Sequence, residues 1–389
     1  MPAITPPQAV MRSRASLVSA CARNALIGVC LFFYTWAIAE AFIWTFEPQQ
    51  FMARYIKGTD WGVRGNIPNA KYWHRTPEVD VEYRINRQGM RADREYAITK
   101  PLGTCRIALF GDSFFIGYEL NLEDTFGERL ERRLVESGIK AEVLNFSVSG
   151  FGTAEMIKTY EGYGRQFDPD LVIFSWHFTD AADNVRSDLF RVSEGVLEPA
   201  AATYPSDIWV HDLLMKSAIY RFVDDHSQVY RFVEEKGVPA GEELLVRAQA
   251  RLANLQWRML KGRALEKMPV ARLPLGQATP EAKVLSGLIL KYANDTVSND
   301  KRSFMVIDIP RPISRVSFES AVDLIPSDYR ANLKLVSPIE DLRSAANPER
   351  KLYFEKGFGH FTPLGIEVLL NSVFPSIAES PSLDACRTQ

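Results

Sequence analysis

Arg106-Ile107-Ala108-Leu109-Phe110-Gly111-Asp112-Ser113-Phe114-Phe115-Ile116-Gly117 is a short apolar run that ends in Gly-Asp-Ser between two glycines. An unbroken hydrophobic run of this length suits a strand buried on both faces of a parallel sheet. In open α/β sheets the working residues sit just past the carboxyl ends of the strands, which is where Ser113 falls. The flanking glycines permit a tight turn and close approach of a ligand. A serine in a plain turn or at a helix N-cap would read the same way locally, so the motif gains its meaning from its position.

Downstream, the pattern alternates. Thr125 and Glu128 form a capping box for a helix with Phe126, Leu130 and Leu134 on one face, closed by Gly138. A strand follows at Ala141–Phe146, then the glycine-rich turn through Gly150, then a helix predicted over Thr153–Arg165. Asp168-Pro169-Asp170 breaks into a third strand, Leu171–Trp176. Strands and helices alternating at this spacing predict a parallel, doubly wound sheet. Residues 185–275 lose the alternation and read as a helical insertion, with helices expected around Asp207–Val223 and Gly241–Leu265. Thr279-Pro280 opens another helix, Ser303–Ile309 is a fourth strand, and Thr362-Pro363 starts the last helix, through Val373. His360 therefore lies on the loop before a helix N-terminus.

Upstream, residues 24–46 are almost wholly apolar, with Glu40 the one charge. That length crosses a bilayer as a helix. Arg12, Arg14 and Arg23 precede it, so residues 1–23 are expected to form a cytoplasmic tail and the remainder to be exported across an inner membrane. A cleaved signal peptide ending near Ala37-Ile38-Ala39 exports the same remainder. Residues 47–100 form a juxtamembrane segment in which Val79–Ile85 alternates like a half-exposed strand. Residues 101–389 form the main domain. A net charge of −2 over 389 residues, without a basic tract, argues against nucleic acid as a partner. No Cys/His spacing reads as a metal site. Cys105 and Cys386 are the one pair in the exported part, and export permits a disulfide between them.

A serine nucleophile needs a base, a group that orients the base, and donors for the developing oxyanion. Ser113 is the nucleophile candidate, the backbone N–H groups of Ser113 and Gly150 are donor candidates, and His360 is the best placed of the histidines. Gly111-Asp112-Ser113, then Asn145 to Gly150, then Asp180 to Asn184, then His360-Phe361-Thr362-Pro363 stand in order, and together they resemble the blocks of the SGNH (GDSL-like) hydrolase and acyltransferase family. The resemblance implies a three-layer α/β/α fold with a mainly parallel sheet and acyl chemistry through a serine acyl-enzyme without a cofactor. By position, it implies Ser113 as nucleophile, Gly150 as oxyanion donor and His360 as base.

Two blocks depart from the family. Thr179 replaces the asparagine whose side chain completes the oxyanion hole, with His177 and Asp180 as accessory candidates beside it. The family's aspartate, two or three residues before the histidine, is replaced by Gly357 or Phe358. Orientation of His360 would then fall to a backbone carbonyl, to a carboxylate from elsewhere such as Asp180 or Glu355, or to nothing. The expectation is an exported, membrane-anchored esterase or O-acyltransferase acting on acyl, foremost acetyl, esters of an envelope polysaccharide, with a membrane-bound acyl-transfer partner among its expected contacts. The rival is an impaired domain of the same fold that binds glycan or scaffolds a polysaccharide-modifying complex.

Overall fold

The computed structural model describes residues 8–46, 51–52, 56–200, 217–232, 278–356 and 359–387. Helix predictions over Gly241–Leu265 and most of Asp207–Val223 lie outside the described residues. The chain divides into two compact units, Met1–Gln49 with Phe222–Arg263, and Gln50–Arg221 with Ala264–Gln389.

In the larger unit the runs read as buried strands pair into one parallel sheet. Its order is Leu335–Val336, Ser303–Ile309, Leu171–His177, Cys105–Phe110, Ala141–Asn145. All the side chains of Cys105–Phe110 and Leu171–His177 are buried. The pleat sends Ile107 and Leu109 to one face and Ala108 and Phe110 to the other. The first face is covered by the helices Phe126–Glu136, Ile339–Ala345 and Pro363–Ala378, through Leu130, Leu342 and Leu369. The second is covered by Thr153–Gly162, Asp180–Ser187 and Pro280–Asn299, through Ile157, Ala181 and Ile289. The result is a three-layer α/β/α fold.

Three features differ in detail from the expectation. The helix predicted over Thr153–Arg165 ends at Gly162 and tightens into a 3₁₀ turn, Gly164–Phe167. The inserted region opens with an antiparallel hairpin, Phe190–Ser193 with Val196–Pro199, turning at Glu194 and Gly195, both at positive φ. Leu335–Val336 adds a fifth strand, too short to stand out as a hydrophobic run. Ahead of the parallel sheet, Phe51–Met52, Lys71–Arg75 and Asp80–Arg84 make a small antiparallel sheet within the same compact unit. Cys105 and Cys386 form a disulfide with Cα atoms 5.8 Å apart, tying the first parallel strand to the chain's end.

In the smaller unit a helix runs Gln8–Phe46. It begins well before residue 24 because neither Pro nor Gly interrupts Gln8–Asn24. Ser19–Phe46 is long and apolar enough to cross a membrane, and large side chains such as Phe33 and Trp44 stand exposed. Glu40 is not left bare. Its carboxylate accepts the N–H groups of Gln228 (2.7 Å) and Val229 (3.4 Å), the Ser227 hydroxyl, and Trp36 Nε1–H (3.0 Å). A charge on an apolar helix is tolerable when its acceptors are satisfied in this way.

Candidate active site

The strand order places Cys105–Phe110 between the two strands that follow it in the chain, so the crossover to Ala141–Asn145 runs one way and the next, to Leu171–His177, returns past it. The crevice at such a reversal, past the carboxyl ends, is where open α/β sheets place their ligands. Three loops meet that edge: 111–120, 146–152 and 178–179.

Ser113 is the first residue of the short helix Ser113–Ile116, half-buried among buried neighbours. Asp112 caps it by accepting the Phe114 N–H at 2.9 Å. The turn is tight, for a Cβ on Gly111 would meet Ser175 Oγ at 2.6 Å and Phe115 Cβ at 2.8 Å. Asn145 braces the turn from the neighbouring strand, donating Nδ2–H to Phe115 O at 2.7 Å and accepting the Ser147 N–H at 3.1 Å.

His360 reaches this serine from the far end of the chain. Its Nε2 lies 2.8 Å from Ser113 Oγ. Thr362 accepts the Gly365 N–H at 3.1 Å and Pro363 fills the first helical position, so the His360 loop is fixed by an N-cap. Phe114 packs against the imidazole, ring centroids 4.8 Å apart.

The carboxylate against the other His360 ring nitrogen is that of Glu119. Its Oε2 lies 3.0 Å from His360 Nδ1 and 3.3 Å from the His360 backbone N, and the residue is buried. None of the alternatives read from the sequence takes this place. Asp180 accepts the His177 N–H at 2.8 Å, and Glu355 pairs with Arg315. Gly357 and Phe358 lie outside the described residues. Sequence reasoning missed Glu119 because its link to His360 is tertiary. The available signal was a lone carboxylate inside an apolar run, Phe114-Phe115-Ile116-Gly117-Tyr118-Glu119-Leu120.

Gly150 follows the second strand at φ +74, a left-handed conformation that favours glycine. Its carbonyl is held by Arg64 Nη2–H at 2.6 Å and Arg186 Nη2–H at 3.3 Å, and Arg64 is itself paired with buried Glu155 at 2.9 Å. Among the described residues, the amides of Ser113 and Gly150 have no acceptor within the protein. The Thr179 side chain faces its own neighbour: Oγ1 lies 3.1 Å from His177 Nδ1.

Beneath the serine lies a buried polar cluster. Burial pushes the Asp112 carboxyl up to about 7, with Asp183 adding to the rise. Asp183 is likewise pushed up to about 6 by burial, against the pull of Arg186, and Asp180 is raised by burial and then by Asp112. Burial lowers His177 to about 3, helped by repulsion from His360, so its imidazole is neutral at ordinary pH. Among the described residues its Nε2 is buried without a partner, and its ring packs on Phe114 at 4.6 Å. No group of metal-ligating side chains occurs among the described residues.

No protein-family model and no curated protein matches the chain. Solved structures do. The chain is similar to TesA, at 13% identity over 72% of this chain and 99% of that one, with a TM-score of 0.37. It is similar to a lipase/acylhydrolase from Enterococcus faecalis, at 14% identity over 70% and 95% of the two chains, with a TM-score of 0.36. A third is the acetyl xylan esterase AlAXEase, at 10% identity over 70% and 99%, with a TM-score of 0.35. Likeness at this level leaves the reading of the site to its own geometry.

Proposed function

We propose that this protein is an exported, membrane-anchored serine esterase or O-acyltransferase acting on acyl, foremost acetyl, esters of an envelope polysaccharide. The observation that carries the reading is the relay Glu119–His360–Ser113, with contacts of 3.0 and 2.8 Å. In the proposed reaction Ser113 Oγ attacks the ester carbonyl carbon and His360 Nε2 takes its proton. Glu119 accepts the Nδ1–H, keeping the ring in the tautomer whose Nε2 is free to act as base, and balances the imidazolium that forms. The amides of Ser113 and Gly150 hold the oxyanion, with only a minor contribution from the Thr179 hydroxyl, which is shared with His177. Collapse expels the alcohol, which takes its proton from Nε2. Water or a sugar hydroxyl then attacks the acyl-enzyme, again with His360 as base.

Support for export comes from the Cys105–Cys386 disulfide and the basic residues ahead of the apolar helix. The rival reading, an impaired glycan-binding domain, leaned on the missing Asp and Asn; the Glu119 carboxylate 3.0 Å from His360 Nδ1 weighs against the first of these. The experiment compares wild type with Ser113→Ala, using the purified protein on an activated acetyl ester and intact cells for polysaccharide acetylation. Loss of both in the variant is expected. Unchanged activity and acetylation in Ser113→Ala would sink the enzyme reading.

A further inference from the structure

Glu119 reaches His360 from a backbone conformation that resists it. Its φ is +66, in the left-handed region, which costs an L residue about 1 kcal/mol or more. Such strain persists only where the surroundings over-determine it. The surroundings here come from the chain ahead of the parallel sheet. Arg91 is buried, and its Nη1 donates to Ile116 O at 2.9 Å and to Gly117 O, while its Nη2 donates to Leu120 O. The Tyr83 hydroxyl donates to the same Gly117 carbonyl at 2.7 Å. The guanidinium lies over the Tyr83 ring, 3.6 Å from its centroid. Tyr118 meets Tyr83 edge to face at 5.6 Å and His360 at 5.5 Å.

Two points separate this arrangement from ordinary packing. Among the described residues, Arg91 has no carboxylate partner; its charge is compensated by three carbonyls and one aromatic face. Desolvating a guanidinium is expensive, so a buried one without an anion is a poor choice for filling space. The carbonyls it takes, those of residues 116, 117 and 120, bracket Tyr118 and Glu119, the two residues of the turn that face His360. Local rules broken in this way cluster at functional sites.

We propose that Arg91 and Tyr83 are positioning residues that lock the 116–120 turn so that the Glu119 carboxylate meets His360. The inference rests on the Glu119–His360–Ser113 reading above. It makes the segment before the parallel sheet part of the catalytic apparatus. Tyr83 sits on the Asp80–Arg84 strand, in one sheet with Phe51–Met52, shortly after the apolar helix ends at Phe46.

The test is a double-mutant cycle on the full-length protein with an activated acetyl ester. Arg91→Ala should lower kcat by about 10²-fold and Tyr83→Phe by about tenfold, with KM changed less than about twofold, since the loss falls on the base and not on ester binding. Arg91→Lys should recover part of the loss. In a Glu119→Gln background neither change should cost more than about twofold, because the group they position has gone. Equal losses in both backgrounds, or no loss in the wild-type background, would overturn the proposal. Should Arg91→Ala not fold, Tyr83→Phe carries the same cycle. A readout independent of turnover is the downfield proton resonance of His360 Nδ1–H in protein labelled with ¹⁵N-histidine. It should be present in wild type and lost or shifted upfield in Arg91→Ala. A resonance unmoved by Arg91→Ala and Tyr83→Phe would also overturn the proposal. An inactive wild type that shows the resonance and loses it in Arg91→Ala would fault the esterase reading and leave the positioning role standing.

Discussion

Glu119 Oε2 and His360 Nδ1 lie 3.0 Å apart although 241 residues separate them in the chain. His360 thus bridges two groups of one short segment, Ser113 by one ring nitrogen and Glu119 by the other. Ser113 and Glu119 belong to the same loop, and only His360 arrives from elsewhere. Glu119→Gln keeps the shape but removes the charge and offers an amide N–H that can donate to Nδ1, so the imidazole can settle in the wrong tautomer. Turnover of an activated acetyl ester should fall by about 10³–10⁴ with little change in the melting temperature. Glu119→Asp, one methylene short, should retain more activity than Glu119→Gln. Steady-state kinetics on the purified variants checks both.

The oxyanion donors should separate in the same assay. Gly150→Ala forces a side chain onto a φ of +74 and displaces the amide, and a loss of about 10²–10³ in kcat is expected. Thr179→Val should cost less than about tenfold, because the hydroxyl it removes is already engaged by His177. A larger loss for Thr179→Val than for Gly150→Ala would reverse the ranking of the donors.

Buried Asp112 makes stability depend on pH. Its carboxyl is raised to about 7 by burial. Below the ordinary carboxylate range, folded and unfolded chains both hold the proton. As pH rises toward about 7 the unfolded chain releases it while the folded one keeps it, so stability falls across that window by at most about 1.4 kcal/mol per pH unit for this group. Asp112→Asn still caps the Phe114 N–H and should flatten the slope. Denaturant titrations at about pH 5 and about pH 8 measure the difference.

The disulfide closes a loop spanning a sequence separation of 281, which in the chain-entropy account restrains the unfolded state by about 5–6 kcal/mol at most. Cys105→Ser should lower stability by about 2–5 kcal/mol, and thiol alkylation in intact cells should find Cys105 and Cys386 blocked in wild type. Free thiols at both positions would contradict an exported domain.

Much of the architecture was legible because it is locally encoded. Cys105–Phe110, Ala141–Asn145, Leu171–His177 and Ser303–Ile309 are buried on both faces and therefore read as continuous apolar runs. Thr279 and Thr362 announce their helices, accepting the N–H groups of Ala282 at 3.2 Å and Gly365 at 3.1 Å. Ser113 and His360 stood out by position. What escaped was tertiary. Glu119 has no spacing relation to His360, and its left-handed φ is unusual for a residue other than glycine. Arg91 looks like any surface arginine until the carbonyls of 116, 117 and 120 are seen to converge on it.

The most direct test of the central claim is to trap the acyl-enzyme. Wild-type protein quenched in acid during turnover of an activated acetyl ester should carry one acetyl group on the peptide containing Ser113, seen by mass spectrometry. Ser113→Ala should carry none and should hydrolyse the ester no faster than buffer does. Turnover by wild type without an adduct at Ser113, or turnover that survives Ser113→Ala, would contradict the account.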